Sequence, residues 1–161
     1  MADLSKWEIA NEGKLTRNGY LGPDQPFTIL HVDKDEAYRK EIYHHCIYPF
    51  FPSAIVFSID QGKEAFDFVK EFIDNKTTLH LIITDIVLTG LGGLELIKKV
   101  REYECISGLE PSIPIIILSI LPRIIVKNRF NGGQDLPTEH FFEKKEEAYL
   151  IAGILEELLY K

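Results

Sequence analysis

Short apolar and β-branched runs alternate along this chain with stretches whose apolar residues recur every three or four positions. The runs are Phe27–Val32, Ala54–Ile59, Leu79–Asp85, Pro114–Ser119 and Glu139–Lys144. Each reads as a strand, and the continuous ones read as strands buried on both faces, as in a parallel sheet. Between them, Lys34–Ile47 carries Tyr38, Ile42 and Cys46 at helical spacing, and Gly62–Asn75 carries Ala65, Phe66, Val69, Phe72 and Ile73 on one face. Leu94, Ile97 and Val100 mark a third helix, and Leu150, Ile151, Ile154, Leu155 and Leu158 mark a last one that starts at Glu146. The stretch Arg123–Gly133 is the weakest helix, because Asn128, Asn131 and two glycines interrupt it and Pro137 follows.

Five strands each followed by a helical segment predict an α/β fold. Right-handed crossovers between parallel strands would cover the sheet with helices on both faces. The first 26 residues are rich in turn formers without sustained periodicity, and read as an N-terminal arm that packs through Trp7, Ile9 and Tyr20. The domain then runs over residues 27–161.

Composition narrows the function classes. With 161 residues and 45% hydrophobic content the chain suits one domain and leaves little room for a second. Its formal charge is −7 and no Lys/Arg block stands out, which argues against nucleic acid as a partner. No apolar run approaches the roughly 20 residues that span a bilayer, and the polar start lacks a signal-peptide pattern. The expectation is a cytoplasmic protein with no membrane partner. Cys46 and Cys105 lack metal-ligand or CxxC spacing and read as buried reduced thiols. The adjacent His44 and His45 read as helix surface rather than a metal pair, and Gly90-Leu-Gly-Gly93 reads as a turn because it lacks dinucleotide-site spacing.

The polar residues at the strand ends are the candidate chemistry. The first strand ends in Asp33-Lys34-Asp35-Glu36, the third in Asp85, the fourth in Ser119 and the fifth in Lys144. A doubly wound order 2-1-3-4-5 would gather these groups at the carboxyl edge of the sheet, where open α/β folds bind ligands.

His-Val-Asp33-Lys34-Asp-Glu, Ile-Ile-Thr-Asp85-Ile-Val-Leu-Thr-Gly, Ile-Ile-Leu-Ser119 and Phe-Phe-Glu-Lys144 resemble, in order and spacing, the receiver domain of two-component response regulators. Gln61-Gly-Lys-Glu-Ala-Phe66 resembles that family's entry to its second helix. The resemblance implies a CheY-like, flavodoxin-like five-stranded sheet and a signalling protein, not an enzyme beyond its own phosphorylation and dephosphorylation. It makes Asp85 the phosphoacceptor, a carboxylate nucleophile that forms an acyl phosphate. Mg²⁺ would be held by Asp33, Asp85 and the Val87 backbone carbonyl. Lys144 would pair with the carboxylate and then a phosphoryl oxygen. Ser119 would donate to another oxygen and act as a switch with the aromatic Phe141. The implied partners are a sensor histidine kinase or phosphotransfer protein, and a downstream protein on the face of the fourth helix, fifth strand and fifth helix. A homodimer is left open, and no output domain is expected within the chain.

Several positions depart from the family pattern. Lys34 stands where a second metal-binding acid is usual. At about 4 Å two unit charges interact by about 4 kcal/mol at an effective dielectric of 20. Lys34 must therefore swing outward, weaken Mg²⁺, or pair with Asp85 in the metal's place. Asp35 lies one residue too late to substitute. Ile120 behind Ser119 replaces a very small residue, Thr89 replaces a proline, Gly92 an acidic or polar residue, and Lys145 the proline after the lysine. These departures sustain an alternative, a pseudo-receiver that binds a protein without phosphate. A binder of a nucleotide or small ligand on the same fold is a third possibility.

Overall fold

The computed structural model describes residues 20–22, 25–129, 140–144 and 150–159. Five strands form one all-parallel sheet: β1 (Thr28–Val32), β2 (Ile55–Ile59), β3 (Leu81–Thr84), β4 (Ile115–Ser119) and β5 (His140–Glu143). Their order is 2-1-3-4-5, with β1 between β2 and β3. The doubly wound, flavodoxin-like topology expected from the alternation is the one observed. The helices are α1 (Glu36–Ile42), α2 (Gly62–Asp74), α3 (Gly93–Ser107), α4 (Arg123–Arg129) and α5 (Ile151–Leu159).

Alternate strand positions feed two separate cores, as the two-residue side-chain period requires. Leu30, Val32, Phe57, Ile82 and Ile117 pack with Phe68, Phe72, Leu96, Val100 and Val126 of α2, α3 and α4. Ile29, Val56, Ile83, Ile116 and Leu118 pack on the other face with Ile42, Cys46, Ile151 and Leu155 of α1, its extension and α5. Both faces being covered explains why the strands are apolar without alternation.

Several details differ from the sequence expectations. The first helix starts two residues later than Lys34, because Asp35 caps it by accepting the Tyr38 amide at 3.1 Å. It then widens into a π-helical turn, Tyr43–Ile47, which keeps Cys46 and Ile47 inward while His44 and His45 stay exposed. On α2 the buried stripe includes Phe68, whereas Phe66 and Ile73 are only half-buried. Cys46 is buried, but Cys105 is exposed. Glu104 takes the inward position beside Cys105, accepting from Arg101 and from the Ile113 amide at 2.7 Å. The third and fifth strands close at Thr84 and Glu143, one residue earlier than expected, which leaves Asp85 and Lys144 in the loops that follow. Ahead of β1, Tyr20–Gly22 and Gln25–Pro26 form a small antiparallel ribbon within the expected arm. Trp7, Ile9, Lys145, Pro137 and the interruption beyond Arg129 lie outside the described residues. Among the described residues no helix is long and apolar enough to cross a membrane.

Candidate functional site

Parallel pairing in register brings the strand ends to one edge. His31 and Val32 stand beside Ser58 and Ile59 on one side and beside Ile83 and Thr84 on the other, while Ser119 stands beside Glu143. The residues that follow β1, β3 and β5 therefore converge. Asp33 and Asp85 are 0% and 2% exposed, and the Lys144 ammonium lies between them. Lys144 Nζ donates to Asp33 Oδ2 at 2.5 Å and to Asp85 Oδ2 at 2.9 Å. Its remaining side is covered by the Tyr38 ring, whose centroid is 4.4 Å from Nζ. Two buried carboxylates thus share one lysine: each is paired and hydrogen-bonded, as buried charge requires, but with both ionised one negative charge is left uncompensated.

Each member is fixed by its own surroundings. Asp33 Oδ1 accepts the Asp35 amide at 2.9 Å, and the Asp33 carbonyl accepts from buried Arg39, whose Nε also donates to Ser58 Oγ at 2.6 Å. Asp85 Oδ1 accepts the Ile86 amide at 2.6 Å and the Val87 amide at 3.3 Å, so this oxygen is turned into its own loop. That loop is pressed against α3: a Cβ on Gly93 would fall 1.9 Å from the Asp85 carbonyl oxygen. Gly90 has a φ of +72°, a left-handed turn that glycine adopts without strain. Lys144 is anchored through its amide, which donates to the Ser119 carbonyl at 2.9 Å. Burial pushes the Asp33 carboxyl above its ordinary range, against the opposing pull of Lys144. Burial likewise raises the Tyr38 phenol.

Ser119 is fully buried, and its hydroxyl oxygen accepts the Leu121 amide at 3.0 Å, facing the following loop. Phe141 is buried at 3% exposure, beneath the Arg123 guanidinium 5.3 Å from its ring centroid. Arg123 also donates to the Phe141 carbonyl at 2.7 Å. Ile120 is 60% exposed, so its side chain is turned away from the buried edge. Of the three outcomes open to Lys34, the structure shows the outward one: it is exposed, and Lys144 rather than Lys34 neutralises Asp85.

The chemistry of the donors fits Mg²⁺. Carboxylates at Asp33 and Asp85 and a main-chain carbonyl at Val87 are hard oxygen ligands, and one or two carboxylates completed by water are the usual protein share of such a site. Among the described residues no cluster of three or more His, Cys, Asp or Glu side chains forms. The acidic set therefore stops at two carboxylates, and Lys144 holds one oxygen of each. Tyr38 and Arg39 were not singled out for the site from the sequence. Their only sequence signal was position, in the first two turns of the helix that follows the acidic strand end.

The five-stranded fold is the one receiver domains have, and the residues gathered at its carboxyl edge resemble the CheY-like pattern. No family model matches this chain. A curated relative, the two-component response regulator ARR6 of Arabidopsis thaliana, is 29% identical over 119 residues, which is 68% of this chain and 60% of that protein. The chain thus spans about 60% of the length of the relative. Among solved structures, the receiver domain of the Arabidopsis thaliana histidine kinase CKI1, complexed with Mg²⁺ and BeF3⁻, superposes with a TM-score of 0.64 at 22% identity, covering 84% of this chain and 91% of that one. The response regulatory domain of mrkE from Klebsiella pneumoniae gives 0.61 at 15% identity, covering 82% and 94%. The receiver domain of the putative response regulator NarL from Mycobacterium tuberculosis gives 0.61 at 15%, covering 84% and 98%.

Proposed function

We propose that this chain works in two-component signalling by accepting a phosphoryl group on Asp85 from a sensor histidine kinase or phosphotransfer protein. The observation that carries this reading is the Lys144 ammonium between the buried carboxylates of Asp33 and Asp85, with the Ser119 hydroxyl at the end of the neighbouring strand. In the transfer, an Asp85 carboxylate oxygen attacks phosphorus, the bond from phosphorus to the donor's imidazole nitrogen breaks, and an acyl phosphate forms. Asp85 Oδ2 is the oxygen suited to attack, because Oδ1 is engaged by two amides. Lys144 then passes from a carboxylate to a phosphoryl oxygen. Mg²⁺, held by Asp33, Asp85 and the Val87 carbonyl, would neutralise charge spreading over the phosphoryl oxygens.

The switch in this reading is Ser119. Its hydroxyl would leave the Leu121 amide to donate to a phosphoryl oxygen, and the loop into α4 would follow. Arg123 links that loop to Phe141, so movement at Ser119 would reach β5. The exposed Ile124 and Ile125 of α4, at 65% and 39%, support a protein target on the α4, β5 and α5 face.

A second reading is a pseudo-receiver that binds its partner without phosphate. It is favoured by Lys34 in place of an acid and by a lysine that already satisfies both carboxylates. Intact-protein mass after incubation with a small acyl-phosphate donor and Mg²⁺ separates the two. A single phosphoryl adduct on wild type that is absent from Asp85→Asn is expected. Folded wild-type protein without an adduct would overturn phosphoacceptance in favour of the pseudo-receiver.

A further inference from the structure

We infer that Tyr38 is a positioning residue that holds the Lys144 ammonium across Asp33 and Asp85, and so sets how readily a divalent cation can enter between them. The inference rests on the metal site proposed above. An ammonium has three donors. Two of those on Lys144 reach Asp33 and Asp85, and the Tyr38 ring face lies against the remaining side at 4.4 Å. On the side of the ammonium that faces neither carboxylate, this cluster has an aromatic face that attracts the cation through its quadrupole.

The Tyr38 hydroxyl supplies an independent clue. It is buried without a hydrogen-bond partner among the described residues, which is unfavourable for a phenol. Hydrogen bonding through oxygen therefore does not account for the placement of this ring. The ring's position comes from its backbone, where the Tyr38 amide is capped by Asp35, from packing against the second core, and from its contact with Lys144. The seat is thus built on the same short segment that supplies Asp33, so a ligand acid and the ring that opposes cation entry move together.

Lys144 must leave at least one carboxylate before a cation can take that oxygen. A ring that stabilises the bridged state weakens cation binding by the same free energy, since a ligand shifts an equilibrium only through its preference for one state. Replacing Tyr38 with leucine keeps apolar bulk and removes the π-face. Replacing it with phenylalanine keeps the face and removes only the unpartnered hydroxyl.

The test uses the full chain with Tyr38→Leu and Tyr38→Phe, read by NMR of the Lys144 ε-methylene protons in metal-free buffer and during titration with Mg²⁺ alone. Ring-current displacement of these protons is expected in wild type and Tyr38→Phe and lost in Tyr38→Leu. Mg²⁺ affinity is expected to rise about threefold or more in Tyr38→Leu, the size of a partly desolvated cation–π contact, and to stay at the wild-type level in Tyr38→Phe. A wild-type lysine without ring-current displacement, an unchanged affinity in folded Tyr38→Leu, or a Tyr38→Phe protein that behaves like Tyr38→Leu would each overturn the inference. Missing phosphoryl transfer to Asp85 with these signals intact would count against phosphoacceptance alone.

Discussion

Gly93 abuts Asp85 so closely that a Cβ on the glycine would sit 1.9 Å from the Asp85 carbonyl oxygen. The atoms such a Cβ would meet, in Asp85 and Ile86, are all backbone, so no side chain can turn aside to make room. The start of α3 and the candidate acceptor therefore share one packing constraint. Gly93→Ala is expected to destabilise the domain by about 1–3 kcal/mol or more, as overpacking does. Gly153→Ala on α5, where among the described residues nothing outside the helix lies within 4 Å of the added Cβ, is expected to be neutral or stabilising by up to about 1 kcal/mol. Urea unfolding of both variants checks this, and equal effects would refute it.

Lys144 is the only neutraliser of Asp33 and Asp85 among the described salt bridges, with 8% of its side chain exposed. Breaking a buried ion cluster by removing one partner typically costs about 3–5 kcal/mol. Lys144→Met is expected to lose about 3 kcal/mol in metal-free buffer and to recover part of it in excess Mg²⁺, because a ligand of the folded state adds stability. Unfolding with and without Mg²⁺ reads both terms. Full stability without metal would show that the carboxylates do not depend on the lysine.

Lys34 is exposed at the end of β1, beside the buried Asp33. Lys34→Asp exchanges a cation for an anion next to the proposed metal site. Calorimetric titration should show Mg²⁺ affinity rising about tenfold, equal to ~1.4 kcal/mol. An unchanged affinity would place Lys34 outside the metal's reach.

His31 is buried in β1 with Nε2 unpartnered among the described residues, and burial, reinforced by Arg39 and Lys144, lowers its pKa to about 3. In the unfolded chain a histidine takes its proton near pH 6.5. The unfolded state thus binds more protons between those values, and stability is lost as pH falls from about 6.5 toward 3. The contribution approaches ~1.4 kcal/mol per pH unit within that window and vanishes above it. Urea midpoints of wild type and His31→Leu across this range should diverge in slope; parallel curves would sink the assignment.

The sheet was legible in the sequence because a strand covered on both faces leaves an apolar run without alternation, and four such runs stand out; the edge strand β5 shows only Phe141 and Phe142. Helix starts were less legible: Lys34 reads as helical by composition, yet Asp35 takes the cap and moves the boundary. The burial of Phe68 and the exposure of Cys105 depend on the rotation of α2 and α3 against the sheet, which short stripes leave open. At the site, Asp33, Asp85, Ser119 and Lys144 could be placed because each ends a strand. The bridge from Lys144 to both acids, the Tyr38 ring over it and the Arg39 support under Asp33 could not. They depend on how far long side chains reach across strands that neighbour one another in space.

The bridge also bears on the order in which the chain is made. Lys144 and Asp33 are 111 positions apart, and Asp85 lies between them. A nascent chain that has laid down β1 and β3 but not β5 buries two acids with no counter-charge, or leaves them open to solvent. Closure of this edge is therefore deferred until the last strand arrives, so an incomplete chain is disfavoured by its own electrostatics.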